Sequence, residues 1–115
     1  MFKEGDLKTF YFHTKLVLPM STFALAVGSW EARQLTCEAV AVRFIGPKKV
    51  IDDNFALVNQ YIPASLDAAK ELIGPYPLSR CDIVVVHRSF SGLGLASPNL
   101  MFLSPRWVKC SLYAK

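Results

Sequence analysis

Residues 76–104 of the chain read YPLSRCDIVVVHRSFSGLGLASPNLMFLS. Within them, residues 81–87 form a short apolar run rich in β-branched side chains, which predicts a buried strand. A Gly-rich loop follows at residues 88–98, and the apolar run 99–103 predicts a second strand. This order is typical of a substrate-binding loop that is displayed at the edge of a β-sheet.

The residues before this stretch predict two helices. Residues 52–54 (Asp-Asp-Asn) have the composition of a turn or of a helix N-cap. We expect a short helix at residues 55–61 and a longer amphipathic helix at residues 65–73, whose apolar side chains share one face. Gly74 and Pro75 then end the second helix, as a C-cap glycine and a helix breaker do.

The first half of the chain has the pattern of β-strands. Residues 9–18 alternate and predict a strand with one buried face, and residues 37–45 alternate in the same way. Residues 23–27 form a continuous apolar run that predicts a strand buried on both faces. We therefore expect an antiparallel β meander here.

Together these elements predict an incomplete α+β chain of two pieces joined near residue 52. Residues 1–52 are expected to hold the last strands of an antiparallel β domain. Residues 53–104 are expected to begin a second domain with a helix, a strand, a loop and a strand. Residues 105–115 are set apart as a tail.

Composition restricts the kinds of partner. The chain has a net charge of +4, but up to Asp82 it holds nine basic and nine acidic residues. The excess comes from four later residues, and no stripe of alternating basic and aromatic residues accompanies them, so we expect no nucleic-acid partner. These four residues are Arg88, Arg106, Lys109 and Lys115.

Cysteine usage and hydropathy restrict the compartment. Cys37, Cys81 and Cys110 are an odd number without metal-ligand spacing, which indicates free thiols in a reducing compartment. The apolar stretch 16–30 is too short and too often interrupted to span a membrane. We therefore expect no membrane contact and a cytoplasmic location, with the nucleus or nucleolus as the alternative.

No catalytic constellation is evident from residue types alone. Ser89, Ser91 and Ser97 lack the Gly-x-Ser-x-Gly context of a hydrolase nucleophile. The two histidines of the chain, His13 and His87, are far apart and lie on predicted strands. We interpret His87 as a structural hydrogen-bonding residue rather than a catalyst.

Several stretches in order resemble the gluzincin zinc aminopeptidases (peptidase family M1). The similarity runs over residues 12–104 and favours the branch with leukotriene hydrolase and aminopeptidase B, in particular the aminopeptidase O type. The resemblance implies that residues 53–104 begin a thermolysin-like catalytic domain. The stretches are PMSTFALAVG at 19–28, SWEARQ at 29–34, IGP at 45–47, GPYPL at 74–78 and RCDIVVV at 80–86.

The resemblance also implies a substrate-binding set: Gly92, Gly94, Leu95, Ala96 and Ser97. In that family a Gly-x-Met-Glu-Asn loop lies along the peptide, and its Glu binds the free α-amine. Here Leu95 replaces Met, Ala96 replaces Glu and Ser97 replaces Asn. A charge-assisted bond is worth about 1.5–3 kcal/mol, so its loss without replacement would weaken amine binding about tenfold or more.

The zinc motif of the family, His-Glu-x-x-His, is absent from this sequence. The resemblance therefore implies a fragment of a zinc metallopeptidase that removes N-terminal residues from peptides. Zinc and the rest of the catalytic domain would belong to the complete protein, whereas this chain alone would have no catalytic residue, no metal and no activity. The alternative is a truncated, non-catalytic isoform that acts as a protein-interaction module through uncovered apolar strands.

Overall fold

The computed structural model describes residues 2–37, 40–87, 89–92 and 94–106. Arg88, Cys110 and most of the tail 105–115 lie outside these residues. The strands are β1 (Phe2–Glu4), β2 (Leu7–Thr9), β3 (Glu31–Gln34), β4 (Ala41–Gly46), β5 (Arg80–Val85), β6 (Gly94–Ser97) and β7 (Leu100–Leu103). A long helix, α1 (Lys48–Ile73), joins β4 to β5, and a 3-10 turn lies at Met20–Thr22. This content confirms the α+β class.

Five of the strands form a mixed sheet in the order β3-β4-β5-β7-β6. The three inner strands are parallel, and the edge strands β3 and β6 each run antiparallel to their neighbour. Parallel strands need a long crossover, which α1 supplies between β4 and β5. The predicted antiparallel meander is therefore wrong. β3 and β4 pair antiparallel, but β4 pairs parallel with β5 on its other side, and residues 10–27 supply no strand.

The core lies between α1 and one face of this sheet. The alternation predicted for residues 37–45 is confirmed in β4, where Val42 and Phe44 are fully buried while Arg43 is not. Cys81, Ile83 and Val85 of β5 continue the same face, and Ile51 and Val58 of α1 cover it. Burying a side chain of this size contributes roughly 1.5–3 kcal/mol.

The helical region differs from the two predicted helices. α1 runs without interruption from Lys48 to Ile73, with Pro63 in its interior. The interpretation of residues 52–54 as a cap or turn is wrong, since they lie in the second turn of α1. Asp52 instead forms an ion pair with Arg33 of β3. Burial of one helix face on the sheet therefore outweighs the break that proline favours.

Residues 10–27 also differ from the prediction. They contain no strand, and the side chains of Phe12, Val17 and Phe23 are 74%, 100% and 75% exposed. Their apolar pattern fits a strand, but a strand needs a neighbour, and in the described part of the chain none lies beside them. The two predicted strands at 9–18 and 23–27 are therefore wrong.

The division into two domains stays a prediction. Residue 52 lies inside α1, and β4, which precedes it, pairs with β5, which follows it. A helix apolar and long enough to cross a membrane does not occur in the described ranges.

Candidate functional site

The predicted substrate-binding residues gather at one edge of the five-stranded sheet. Four of them, Gly94, Leu95, Ala96 and Ser97, form the edge strand β6, and Gly92 lies in the bend just before it. The prediction of an irregular loop at 88–98 is therefore wrong for residues 94–97. The sheet-edge position that the sequence predicted is confirmed.

A tight turn holds β6 against β7. Pro98 and Asn99 are the only residues between the two strands, and Asn99 has a φ of 67°. Proline followed by a residue with positive φ is the pattern of a type II turn. Pro-Asn before an apolar run is the sequence signal that could have revealed this hairpin.

The pairing of β7 with β5 and with β6 shows which backbone groups of β6 are hydrogen-bonded. The N–H of Asp82 donates to the carbonyl of Asn99 at 2.7 Å, and the N–H of Val86 donates to that of Leu103 at 2.9 Å. The backbone carbonyls of Leu103 in β7 and of Asn99 just before it thus point toward β5. The backbone groups of the alternating residues, Leu100 and Phe102, therefore point toward β6.

It follows that one edge of β6 carries backbone groups that do not bond to β7. Leu100 and Phe102 pair with Ser97 and Leu95, so these two residues bond to β7. The N–H and C=O groups of Gly94 and Ala96 must point the other way, where the described residues provide no further strand. We refer to these four groups as the open edge. Both residues are exposed.

The side chains of β6 leave room along this edge. Leu95 lies opposite Phe102 on the sheet face away from α1 and is 55% exposed. Gly94 and Ala96 share the other face with Leu103 and Met101. A Cβ at Gly94 would lie 3.2 Å from the carbonyl oxygen of Phe102, so glycine permits the close approach of the two strands.

The turn after β5 brings together a pair that the sequence analysis did not anticipate. The backbone N–H of Ser89 donates to Nδ1 of His87 at 3.2 Å, and Oγ of Ser89 lies 2.9 Å from the same nitrogen. These contacts within three residues shape the turn, and the structural role of His87 stays a prediction.

Arg106 connects the end of β7 to the bend before β6. Its Nη2 donates to the carbonyl of Phe90 at 3.1 Å, and its backbone N–H donates to Oγ of the buried Ser104 at 3.2 Å. The ring of Phe90 lies beside Gly92, where an added Cβ would be 3.8 Å away. Arg106 is exposed and forms no ion pair with any described carboxylate.

A second charged group lies at the other end of the sheet. Arg43 of β4 binds Asp82 of β5 through two bonds, Nε to Oδ1 at 2.9 Å and Nη2 to Oδ2 at 2.7 Å. These bonds raise the pKa of Arg43. Arg80 lies 3.6 Å from the same carboxylate, so two guanidinium groups share one buried acid.

The described residues do not fit a zinc ion. In residues 2–37, 40–87, 89–92 and 94–106, no three His, Cys, Asp or Glu side chains gather closely enough to hold a metal. The chemistry that this site offers is hydrogen bonding to an extended backbone.

Comparison with known proteins gives the site a context. No protein-family model matches the chain. Aminopeptidase O of Homo sapiens is 25% identical over 141 aligned residues, which cover 86% of this chain and 17% of that protein. Leucine aminopeptidase 2 of Chaetomium globosum is 28% identical over 102 residues, covering 88% of this chain and 16% of that protein. The chain resembles aminopeptidases.

A shorter stretch is more similar. Aminopeptidase O of Rattus norvegicus is 49% identical over 43 residues, which are 37% of this chain and 5% of that protein. The chain spans about a sixth of the length of the two relatives that align over most of it. The aminopeptidase part of the predicted resemblance is thus supported.

Proposed function

We propose that this chain is part of a zinc-dependent aminopeptidase of the gluzincin type, in which β6 binds the backbone of an extended peptide substrate. One observation carries the proposal. Four of the residues that resemble the family's substrate loop, Gly94 to Ser97, form the strand that carries the open edge. The similarity to aminopeptidases over most of the chain supports it.

Backbone addition to a sheet edge is a common way to bind peptides. The open edge offers two N–H donors and two C=O acceptors, from Gly94 and Ala96. Each bond contributes a net of about 0.5–1.5 kcal/mol, so the edge alone supports only weak binding. A dissociation constant on the order of 1 mM, or somewhat lower, is expected.

A scan with N-methylated peptides tests this mode of binding. In an added strand, alternate N–H groups of the peptide face β6, so methylation should abolish binding at every second position and leave the others unchanged. Binding is measured by chemical shift changes of the amides of residues 94–97. Equal loss at all positions, or shifts located elsewhere on the chain, would refute the proposal.

A matched pair of variants tests the protein side. Ala96→Pro removes an outward N–H without removing a bond to β7, since proline is tolerated on the free side of edge strands. It should abolish peptide binding while the sheet stays folded by circular dichroism. Leu95→Ala shortens a side chain but retains both backbone groups, and it should change the affinity by less than about threefold.

Zinc and the hydrolytic step belong, in this proposal, to residues outside the 115 of this chain. The two histidines of the sequence, His13 and His87, cannot supply His-Glu-x-x-His. We therefore expect no chelator-sensitive peptidase activity from the pure chain. Detection of such activity would overturn this part of the proposal.

The size of the endogenous protein distinguishes the fragment from a short isoform. Material captured through residues 74–104 can be analysed by mass spectrometry from a cytosolic extract, where we propose that the protein is located. A much larger species with His-Glu-x-x-His peptides supports the metallopeptidase. A species near 12.8 kDa would instead support a non-catalytic product.

The second candidate is an interaction module, and the exposed segment 10–27 favours it. Nine large apolar or aromatic side chains in these residues are at least 43% exposed, which is unusual for a lone soluble chain. A partner that covers them should protect this segment from hydrogen exchange. Peptide binding at β6 without any such protection favours the first candidate.

A further inference from the structure

We propose that the peptide at the open edge is selected by a carboxylate held beside Arg106 and not by an α-amine. This inference rests on the proposed function, because it presupposes an extended peptide along β6. Arg106 is then a specificity-determining residue, and the preferred ligands are peptides with a free carboxylate at the carboxyl terminus.

Acidic residues are confined to the part of the chain before β6. Asp82 is the last acidic residue of the sequence, so β6, β7 and the turns around them contain no carboxylate of their own. Asp82 itself is buried and bound by Arg43. An ammonium group at either end of β6 would therefore find no acidic partner from this segment, and desolvating it without one is unfavourable.

Arg106 lies beside the bend that precedes β6. Its guanidinium donates to the carbonyl of Phe90, four residues before Gly94, so a cation is held at the bend that precedes β6. A guanidinium has five N–H donors, and the contacts to Phe90 and Ser104 leave donors for a ligand. Arginine pairs with carboxylates through two parallel hydrogen bonds.

The direction of the bound peptide decides which of its ends meets Arg106. A peptide that runs antiparallel to β6 places its carboxyl end beside Gly94 and hence toward Arg106. A parallel peptide would bring its amino terminus toward the same cation. Charge therefore favours the antiparallel orientation, which also has the better hydrogen-bond geometry.

Four unlabelled hexapeptides of one sequence test the inference by titration into the pure chain, followed by the amide shifts of β6. They differ only in whether the amino end is free or acetylated and whether the carboxyl end is free or amidated. We expect amidation to weaken binding about fivefold, as for a partly exposed ion pair, and acetylation to change it by less than about twofold.

Variants of Arg106 separate recognition from folding. Arg106→Gln should abolish the difference between acid and amide peptides, and Arg106→Lys should retain part of it. A merely structural role would weaken both peptides equally and leave their ratio unchanged. Arg80→Gln is the control, because it removes an exposed cation at the opposite end of the sheet and should leave the ratio at its original value.

The outcomes also separate this inference from the proposal on which it rests. If no hexapeptide binds β6, both fail. If the acid and amide forms bind equally, or if acetylation is the more damaging change, the open edge is still a peptide site but Arg106 does not select its ligand. A preference of about fivefold that is abolished in Arg106→Gln supports both.

Discussion

At the scale of single residues, Gly74 shows how one backbone angle ends α1. It has φ 97° and ψ 176°, a region that is open almost only to glycine, while its N–H still donates to the carbonyl of Lys70 at 3.0 Å. A Cβ at this position would contact nothing within 4 Å. The requirement for glycine is therefore conformational and not steric.

We predict that Gly74→Ala lowers the free energy of unfolding by about 1–3 kcal/mol, because alanine must adopt a strained φ there. Urea unfolding followed by circular dichroism measures the change. Gly5→Asn is the control: Gly5 has φ 58°, where asparagine is well tolerated, so little change is expected. An unchanged stability for Gly74→Ala would mean that the end of α1 relaxes without strain.

Cys81 and Tyr76 link stability to alkaline pH. Burial raises the pKa of the Cys81 thiol above its usual 9.0, and burial also raises the pKa of Tyr76 above 10.0. The unfolded chain therefore loses these protons first, and the folded chain binds more protons in this range. The neutral forms of Cys81 and Tyr76 make their full contribution to stability below about pH 9. This contribution is lost as the pH rises through the pKa values of the two groups in the folded chain.

We predict a urea midpoint that falls as the pH rises above about 9, and a shallower fall in Cys81→Val, which removes one of the two groups. Between about pH 7 and 8 the curves of the two proteins should run parallel, which provides the internal control. A urea midpoint that increases as the pH is raised beyond about 9 would contradict the direction of both pKa changes.

At the scale of elements, the long helix α1 contains a proline that breaks its own hydrogen-bond pattern. Pro63 has no N–H to donate to the carbonyl of Asn59, and the helix nevertheless continues beyond it to Ile73. The side chain of Asn59 has a separate role, since its Oδ1 accepts the backbone N–H of Thr36 at 2.7 Å. Packing of Ile62 and Leu66 against the core holds the helix together on either side of the proline.

We predict that Pro63→Ala raises the free energy of unfolding by as much as about 3 kcal/mol, because it restores a helical hydrogen bond. A second variant, Ala64→Pro, should lower the free energy of unfolding, since two consecutive helical hydrogen bonds would then be missing. Urea unfolding measures both. A less stable Pro63→Ala would show that the proline is needed for the packing of α1 on the sheet.

Strands and helix ends that are marked by short apolar runs or turn residues could be predicted from the sequence, whereas the pairing of the strands could not. The strand at 81–87, the strand at 99–103 and the end of α1 at Gly74 follow from short apolar runs and from turn residues. The parallel pairing of β4 with β5 depends on residues far apart in sequence, such as Arg43 and Asp82. The sheet-edge position of the candidate residues 94–97 could be predicted from the strand–loop–strand pattern, but the outward direction of the backbone groups of Gly94 and Ala96 required the register.

At the scale of the whole molecule, an exposed apolar segment accompanies a well-formed sheet. The side chains of Phe12, Val17, Phe23 and Val27 are all at least 74% exposed. We predict that the pure chain binds the dye ANS and self-associates, and that replacing Phe12, Val17 and Phe23 by Ser reduces both effects. Ultracentrifugation and dye fluorescence measure them.

The cooperative urea transition of this triple variant should stay close to that of the parent, because the three side chains contribute little to the core. Ile83→Ser is a suitable control, because Ile83 lies in the core of the sheet and its replacement should abolish the transition. A monodisperse parent chain without dye binding would refute the prediction.

The parallel pairing of β4 with β5 also has a consequence during synthesis on the ribosome. The β3–β4 hairpin can form once Gly46 has emerged, but β4 cannot pair fully with β5 until residues 47–85 have been added. At about 5–20 residues per second, this interval lasts on the order of seconds. For that time the apolar side chains of β4 have no second strand beside them, so we expect chaperones to bind this segment while the chain is being synthesised.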